Sequence, residues 1–322
     1  MIARGSAAFS SHSVARIYRP IRNDATVRHM PSSRRDYRLG LLLVTAAAVA
    51  WSTSGLFTRF LSADTATILF WRGFFGALGT YLVIAVIPGT GGISTFRHMG
   101  RHGFAYAAVT ALSMLLFISA LRNTTVAHVA IITAIVPFVA AYLGWAILRD
   151  VPRVSAVIAS VMALIGVAIM VGISIDGNAF GDSLASLMAL CMAGMILISR
   201  RFGSIPALPA TCVASALSAA ATLPFATLTS VTTQDMSILA LFGLANQVLG
   251  FGLFALGARL LPPMETALIT ALDAPLAPFW VWLFIAETPG TATLLGGAFV
   301  LAAVIGHVHW ANRLLEVDTA RG

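Results

Sequence analysis

Asp273 is the residue whose surroundings ask most of its chemistry. It stands near the middle of an apolar stretch, where a charged carboxylate costs about 2.5 to 3.5 kcal/mol on membrane-insertion scales. An acid kept there must face the protein interior. Two readings are open: a group that takes up a proton or a substrate amine, or a hydrogen-bonded link to a neighbouring helix. Arg72 stands among Phe70, Trp71, Phe74 and Phe75. Its guanidinium does not readily lose its proton. It must pair with an acid, bond helix-end carbonyls or face water, and its planar fork suits the carboxylate of a solute.

His128 and Glu265 each open an apolar stretch and stand 137 positions apart. Two titratable groups so matched could guard opposite mouths of one cavity. Either could equally be a solvated interfacial residue, and Glu265, just after Pro262-Pro263, also complements a helix dipole. Trp51-Ser52-Thr53-Ser54 and Asn246-Gln247 put hydrogen-bonding groups inside apolar runs, where they bond neighbouring helices or line a wet cavity. Met188, Met192 and Met195, beside Cys191, read as ordinary packing or as the wall of an apolar cavity. No metal is expected, since His307-Val308-His309 occupies successive helical positions that point apart. Gly181-Asp182-Ser183-Leu184 spells a hydrolase signature but begins an apolar run. With no HExxH or GxSxG pattern, the chain is not expected to be an enzyme.

The elements that must position these residues follow from composition. Of 322 residues 58% are hydrophobic and 10% charged, with a mean hydropathy of +0.90; soluble domains carry about 25% charged residues. All twenty basic residues of the Lys/Arg class are arginine, eight of them before Leu39. The missing lysine excludes P-loop ATPases, Schiff-base enzymes and retinal pumps. No cofactor and no nucleic-acid partner is expected. Cys191 and Cys212 both lie in apolar runs and lack the spacing of a disulfide or zinc framework.

A bilayer core needs about 20 apolar residues per helix. Ten such spans are predicted, at 39–61, 65–87, 102–121, 124–147, 154–173, 182–202, 207–228, 237–260, 263–286 and 290–310. The ninth is interrupted by Glu265 and Asp273. Connections are short and rich in Pro and Gly, as in Pro88-Gly89-Thr90-Gly91-Gly92. With the N-terminus inside, the cytoplasmic side receives the arm arginines plus Arg97, Arg101, Arg149, Arg153, Arg200, Arg201, Arg259, Arg313 and Arg321, and the outer side only Arg59 and Arg122. The basic excess therefore puts both termini in the cytoplasm, and the protein is expected in the plasma (inner) membrane. Residues 1–38 read as a disordered basic arm drawn to anionic lipid, with Met30 an alternative start, and 311–322 as a short cytoplasmic tail.

The chain repeats itself. A shift of 137 superposes Arg122 on Arg259, Ala130 on Ala267, Ile132 on Ile269, Thr133-Ala134 on Thr270-Ala271, Trp145 on Trp282, Pro152 on Pro289 and Val167 on Val304. Five spans per half is an odd number, so 182–310 must enter the membrane inverted relative to 39–173. Inverted repeats place a solute site between them near the midplane. The Arg of Phe70-Trp71-Arg72-Gly73 and the closing motifs complete the picture: Ile135-Val136-Pro137-Phe138 then Arg149-Asp150-Val151-Pro152 in one half, Asp273-Ala274-Pro275-Leu276 then Glu287-Thr288-Pro289 in the other. In these features the chain resembles the EamA-like family of the drug/metabolite transporter superfamily.

The resemblance implies an all-α integral membrane protein of ten helices in two inverted five-helix repeats. It also implies a secondary transporter of a small metabolite, amino acid or drug-like solute, often an exporter, working by alternating access. The expected partners are then a small solute and membrane lipid; proton coupling through Asp273 is a hypothesis read from that residue and not from the resemblance. Asp273, Arg72, Glu265, His128, Trp51, Ser54, Asn246 and Gln247 are the expected substrate or coupling residues. The alternative is a non-transporting membrane sensor or partner protein.

Overall fold

The structure, a computed structural model, describes residues 34–86, 93–124, 126–172, 178–203, 205–228, 231–286 and 288–321. At 34, 93, 121, 122, 126, 127 and 312–321 it describes the backbone alone. Most of the expected basic arm and the side chain of Arg122 thus lie outside the described residues. Ten apolar helices are long enough to cross a membrane: α1 (Arg35–Phe60), α2 (Thr65–Val86), α3 (Gly100–Ala120), α4 (His128–Leu148), α5 (Val154–Val171), α6 (Ala179–Arg201), α7 (Ala207–Phe225), α8 (Thr233–Gly257), α9 (Pro263–Ile285) and α10 (Thr291–Ala311). Every regular element among the described residues is helical, which satisfies the backbone inside lipid. An even number of crossings returns the chain to one face. The end at which α1 begins and α10 ends is called proximal here and the other distal.

Two helices are broken at equivalent places. α4 divides into Val126–Ala134 and Val136–Leu143, and α9 into Pro263–Thr270 and Asp273–Ile285. Pro137 and Pro275 have no N–H to give, so the i→i−4 ladder cannot continue through them. At the breaks it tightens instead to i→i−3 bonds, Ile135 N–H to Ile132 O and Leu272 N–H to Ile269 O, each 3.1 Å. Ile135 and Leu272 are 137 residues apart, the repeat offset. α1 is interrupted at Thr53, where Ser52, Thr53 and Ser54 donate to the carbonyls of Val49, Ala50 and Trp51. Such back-bonding by hydroxyls loosens a helix.

Packing obeys the inversion. α3 packs on α6 as α8 packs on α1, and α6 also holds α4 while α1 holds α9. Each resulting trio, α1–α8–α9 and α6–α3–α4, mixes both halves of the chain. The pairs α2–α7 and α5–α10 join the trios. α5 and α10 approach at Gly166 and Gly296, where a Cβ on either would collide with the other's carbonyl oxygen. Lipid supplies no hydrophobic drive between helices, so close contact of small residues supplies the adhesion.

The two broken helices converge at one end only. The proximal segments, Val136–Leu143 and Pro263–Thr270, pack on each other, with Gly144 against Pro263. The distal segments part: Val126–Ala134 lies on α5 and α6, whereas Asp273–Ile285 lies on α1 and α10. Burial follows. All eight residues of Pro263–Thr270 are buried, but of Asp273–Ile285 only Pro275 is.

Candidate functional site

Three layers of polar residues run along this wedge. The proximal layer centres on Glu265, in the first turn of α9 and only 1% exposed. The Tyr37 hydroxyl donates to its Oε2 at 2.7 Å. Arg153 Nη1 lies 3.3 Å from Oε1, and His307 Nε2 lies 3.5 Å from Oε2. One buried carboxylate thereby ties α1, the start of α5, α9 and α10. Beside it Arg200 makes two contacts to Asp150, Nε at 3.2 Å and Nη2 at 3.0 Å.

The distal layer holds the repeat mate of Glu265. His128 Nδ1 lies 3.0 Å from Asp182, and Thr124 donates to the same carboxylate at 2.7 Å. These side chains are 21% and 30% exposed, so the pair is open to its surroundings where Glu265 is not. His128 and Glu265 therefore stand at opposite ends, each attached to the first helix of the other half. Nearby, Asp64 precedes α2 and accepts from the Thr67 N–H and from the hydroxyls of Thr67 and Thr227. The Thr227 and Thr67 hydroxyls hold its carboxyl down at about 2.

Between the layers lies Arg72, buried on α2. Its Nη1 reaches Asn246 Oδ1 at 3.5 Å, and Phe242 covers its face at 5.3 Å. Asn246 donates to Ser54 at 2.6 Å, and Ser54 to the Trp51 carbonyl. Among the described residues no carboxylate comes within ion-pair distance of Arg72. Arg72 Nε, Gln247 Oε1 and Trp51 Nε1 are buried with no protein partner. Gln247 Nε2 meets only the Met114 sulfur, at 3.7 Å. Burying a cation without an opposing charge is costly, so this cluster is incomplete as it stands. Asp273 is half-buried at the first turn after the α9 break. The N–H groups opened there favour an acid. Arg72 and Asp273 are not paired with each other.

Residues 38–172 and 179–308 each match the profile of the EamA-like transporter family. The chain belongs to that family. No curated protein matches it. A solved structure titled "Crystal structure of protein" superposes with a TM-score of 0.70 at 19% identity, over 82% of this chain and 95% of its own. At that identity it shows the fold alone.

The seam between the two EamA-like matches falls between α5 and α6, so the wedge is bounded by one broken helix from each repeat. Reasoning from sequence had paired His128 with Glu265 and isolated Arg72, Asp273, Asn246 and Gln247. It missed Tyr37, Arg153 and His307, the partners of Glu265. The available signal was that a buried acid at a helix start needs donors from other helices at the same end, and these three stand at that end of their own spans. Asp182, set aside as part of a misleading motif, is the partner of His128. Met188 and Met195 are core residues, each 1% exposed.

Proposed function

We propose that the protein is a secondary carrier that moves a small carboxylate-bearing solute by alternating access, in the direction of export. The observation that carries this reading is the wedge: α4 and α9 meet at the proximal end and part at the distal end, with Asp273 at the break between. Discontinuous helices at a repeat interface are the usual seat of a transported solute. Rocking the α1–α8–α9 trio against the α6–α3–α4 trio would close one end as the other opens. The proximal end is cytoplasmic by its excess of arginine, which places both termini inside and leaves the wedge open outward.

In this reading Arg72, lacking an internal counter-charge, receives the solute carboxylate. Trp51, Ser54, Asn246 and Gln247 line the place where it docks. Asp273 is the coupling group: it takes up a proton or the solute's amine as the wedge changes sides. Tight apposition of α5 with α10 and of α2 with α7 lets the trios move without breaking the bundle.

The test is a thermal-shift screen of the purified protein against a metabolite library, followed by counterflow of the hits in proteoliposomes. A ligand that binds only the folded state raises the unfolding midpoint. A carrier reading requires at least one hit to accumulate transiently against preloaded unlabelled solute. Hits that bind without counterflow, or an Asp273→Asn protein with unaltered response to a pH gradient, would overturn the carrier or the coupling role respectively.

A further inference from the structure

At the proximal end two arginines cross between the trios, and they do so reciprocally. Arg200, in the last turn of α6, sends Nη1 to the carbonyl of Leu261, in the connection after α8, at 2.5 Å. Arg259, in that same connection, sends Nη1 to the carbonyl of Gly203, in the connection after α6, at 3.3 Å. Each connection thus takes, at a main-chain carbonyl, an arginine from the other side. Such a contact forms only while the two connections stay together.

We propose that Arg200 and Arg259 form a clasp that holds the proximal end shut and must open in each transport cycle. They are positioning residues: neither touches the Arg72 or Asp273 layer. Asp150 aligns the clasp by taking Arg200 Nε and Nη2, which leaves Nη1 aimed at Leu261. The Arg153–Glu265 contact, at the same end, reinforces it from α5. The distal polar contacts run otherwise. His128–Asp182 joins α4 to α6 and Ser62–Asp235 joins the end of α1 to α8, each within one trio. They keep a trio rigid and do not oppose its movement away from the other. The inference rests on the carrier reading for its purpose.

The test is thiol accessibility, which needs no known solute. In a chain with Cys191→Ala and Cys212→Ala, the reporter is Ala140→Cys, at a fully buried position on the proximal segment of α4. Membrane vesicles are exposed to a charged, membrane-impermeant maleimide from the proximal side. With both arginines present, labelling is expected to be slow. Loss of one charge-assisted hydrogen bond shifts a two-state equilibrium by about tenfold or more, so Arg200→Gln and Arg259→Gln are each expected to label about tenfold faster. Arg259→Lys, which keeps a charged donor, is expected to return most of the protection. Equal labelling rates in parent and variants of unchanged unfolding midpoint would overturn the clasp. Arg259→Gln leaves the Arg200–Asp150 pair intact and decides the matter should Arg200→Gln fail to fold. Clasp-dependent labelling in a protein without counterflow would sink the carrier reading instead, so the two failures are separable.

Discussion

Tyr37 donates its hydroxyl to Glu265 across 228 positions of the chain, and Trp280 donates to Ser52 across the same 228 positions. Two contacts with one offset mean that α1 and α9 run parallel and in register for about four turns. The first helix of one repeat and the fourth of the other therefore behave as one unit through the break in α9. In the carrier reading proposed above, the moving body is then the trio and not the repeat.

Tyr37→Phe tests that unit. It keeps the ring, which lies 5.6 Å from the Arg153 guanidinium, and removes the only hydrogen bond to Glu265 described. A buried carboxylate deprived of a donor costs about 1 to 3 kcal/mol. Thermal unfolding in detergent is expected to show a lower midpoint for Tyr37→Phe, and a larger loss for Glu265→Gln, which also removes the contacts to Arg153 and His307.

Arg72→Gln separates binding from stability. A buried guanidinium with no carboxylate partner does not stabilise the empty protein, so the midpoint without ligand is expected to be unchanged or higher. The shift produced by a carboxylate ligand is expected to vanish, with affinity down about a hundredfold or more. Arg72→Lys, which keeps the charge but loses the fork, is expected to fall between. A ligand shift that survives in Arg72→Gln would remove Arg72 from the site.

Two glycines on α10 are expected to respond in opposite ways. Gly296 faces the Gly166 carbonyl, and even a methyl group there collides with backbone, whereas Gly306 has open space where a Cβ would stand. Overpacking of this kind costs about 1 to 3 kcal/mol. Gly296→Ala should lower the unfolding midpoint and Gly306→Ala should leave it level or raise it, as alanine favours helix.

Asp64 supplies the pH dependence that lies outside the membrane spans. Its folded-state value of about 2 is below the unfolded value of about 4. The folded form therefore favours the carboxylate. Its stabilising contribution is complete above the unfolded value and is lost as pH falls from about 4 toward 2. The midpoint difference between the parent and Asp64→Asn is expected to be present at pH 7 and to shrink over that acid window. A difference that does not change with pH would contradict the assigned hydrogen bonds to Thr67 and Thr227.

What could be read from the chain was whatever is local or periodic. The ten spans follow from apolar length, and the inversion from the odd count of five. The equivalence of His128 and Glu265 follows from the 137-residue offset. The breaks at Ile135 and Leu272 are foreshadowed by Pro137 and Pro275, whose missing N–H is a local property. The contacts of Glu265 were not legible, because Tyr37, Arg153 and His307 come from three other helices and nothing local says which of their faces converge. Arg200 and Arg259 were counted as basic residues of one membrane face. That count holds whichever way a side chain turns, so it says nothing about a carbonyl taken from another helix. The wedge was illegible for a further reason: the proximal segment of α9, with Glu265, Thr266 and Thr270, is the less apolar of the two, and only packing reveals that it is the one buried on every side.

The central claim is that the two trios rock against each other, and distances at both ends test it most directly. Spin labels at Arg38→Cys and Arg201→Cys report the proximal end of each trio, and labels at Phe180→Cys and Phe284→Cys the distal end; all four positions are exposed. Double electron–electron resonance in lipid nanodiscs should show the proximal distance lengthening as the distal one shortens when a transported solute is added. Distances that stay fixed at both ends, or change in the same direction, would contradict the account.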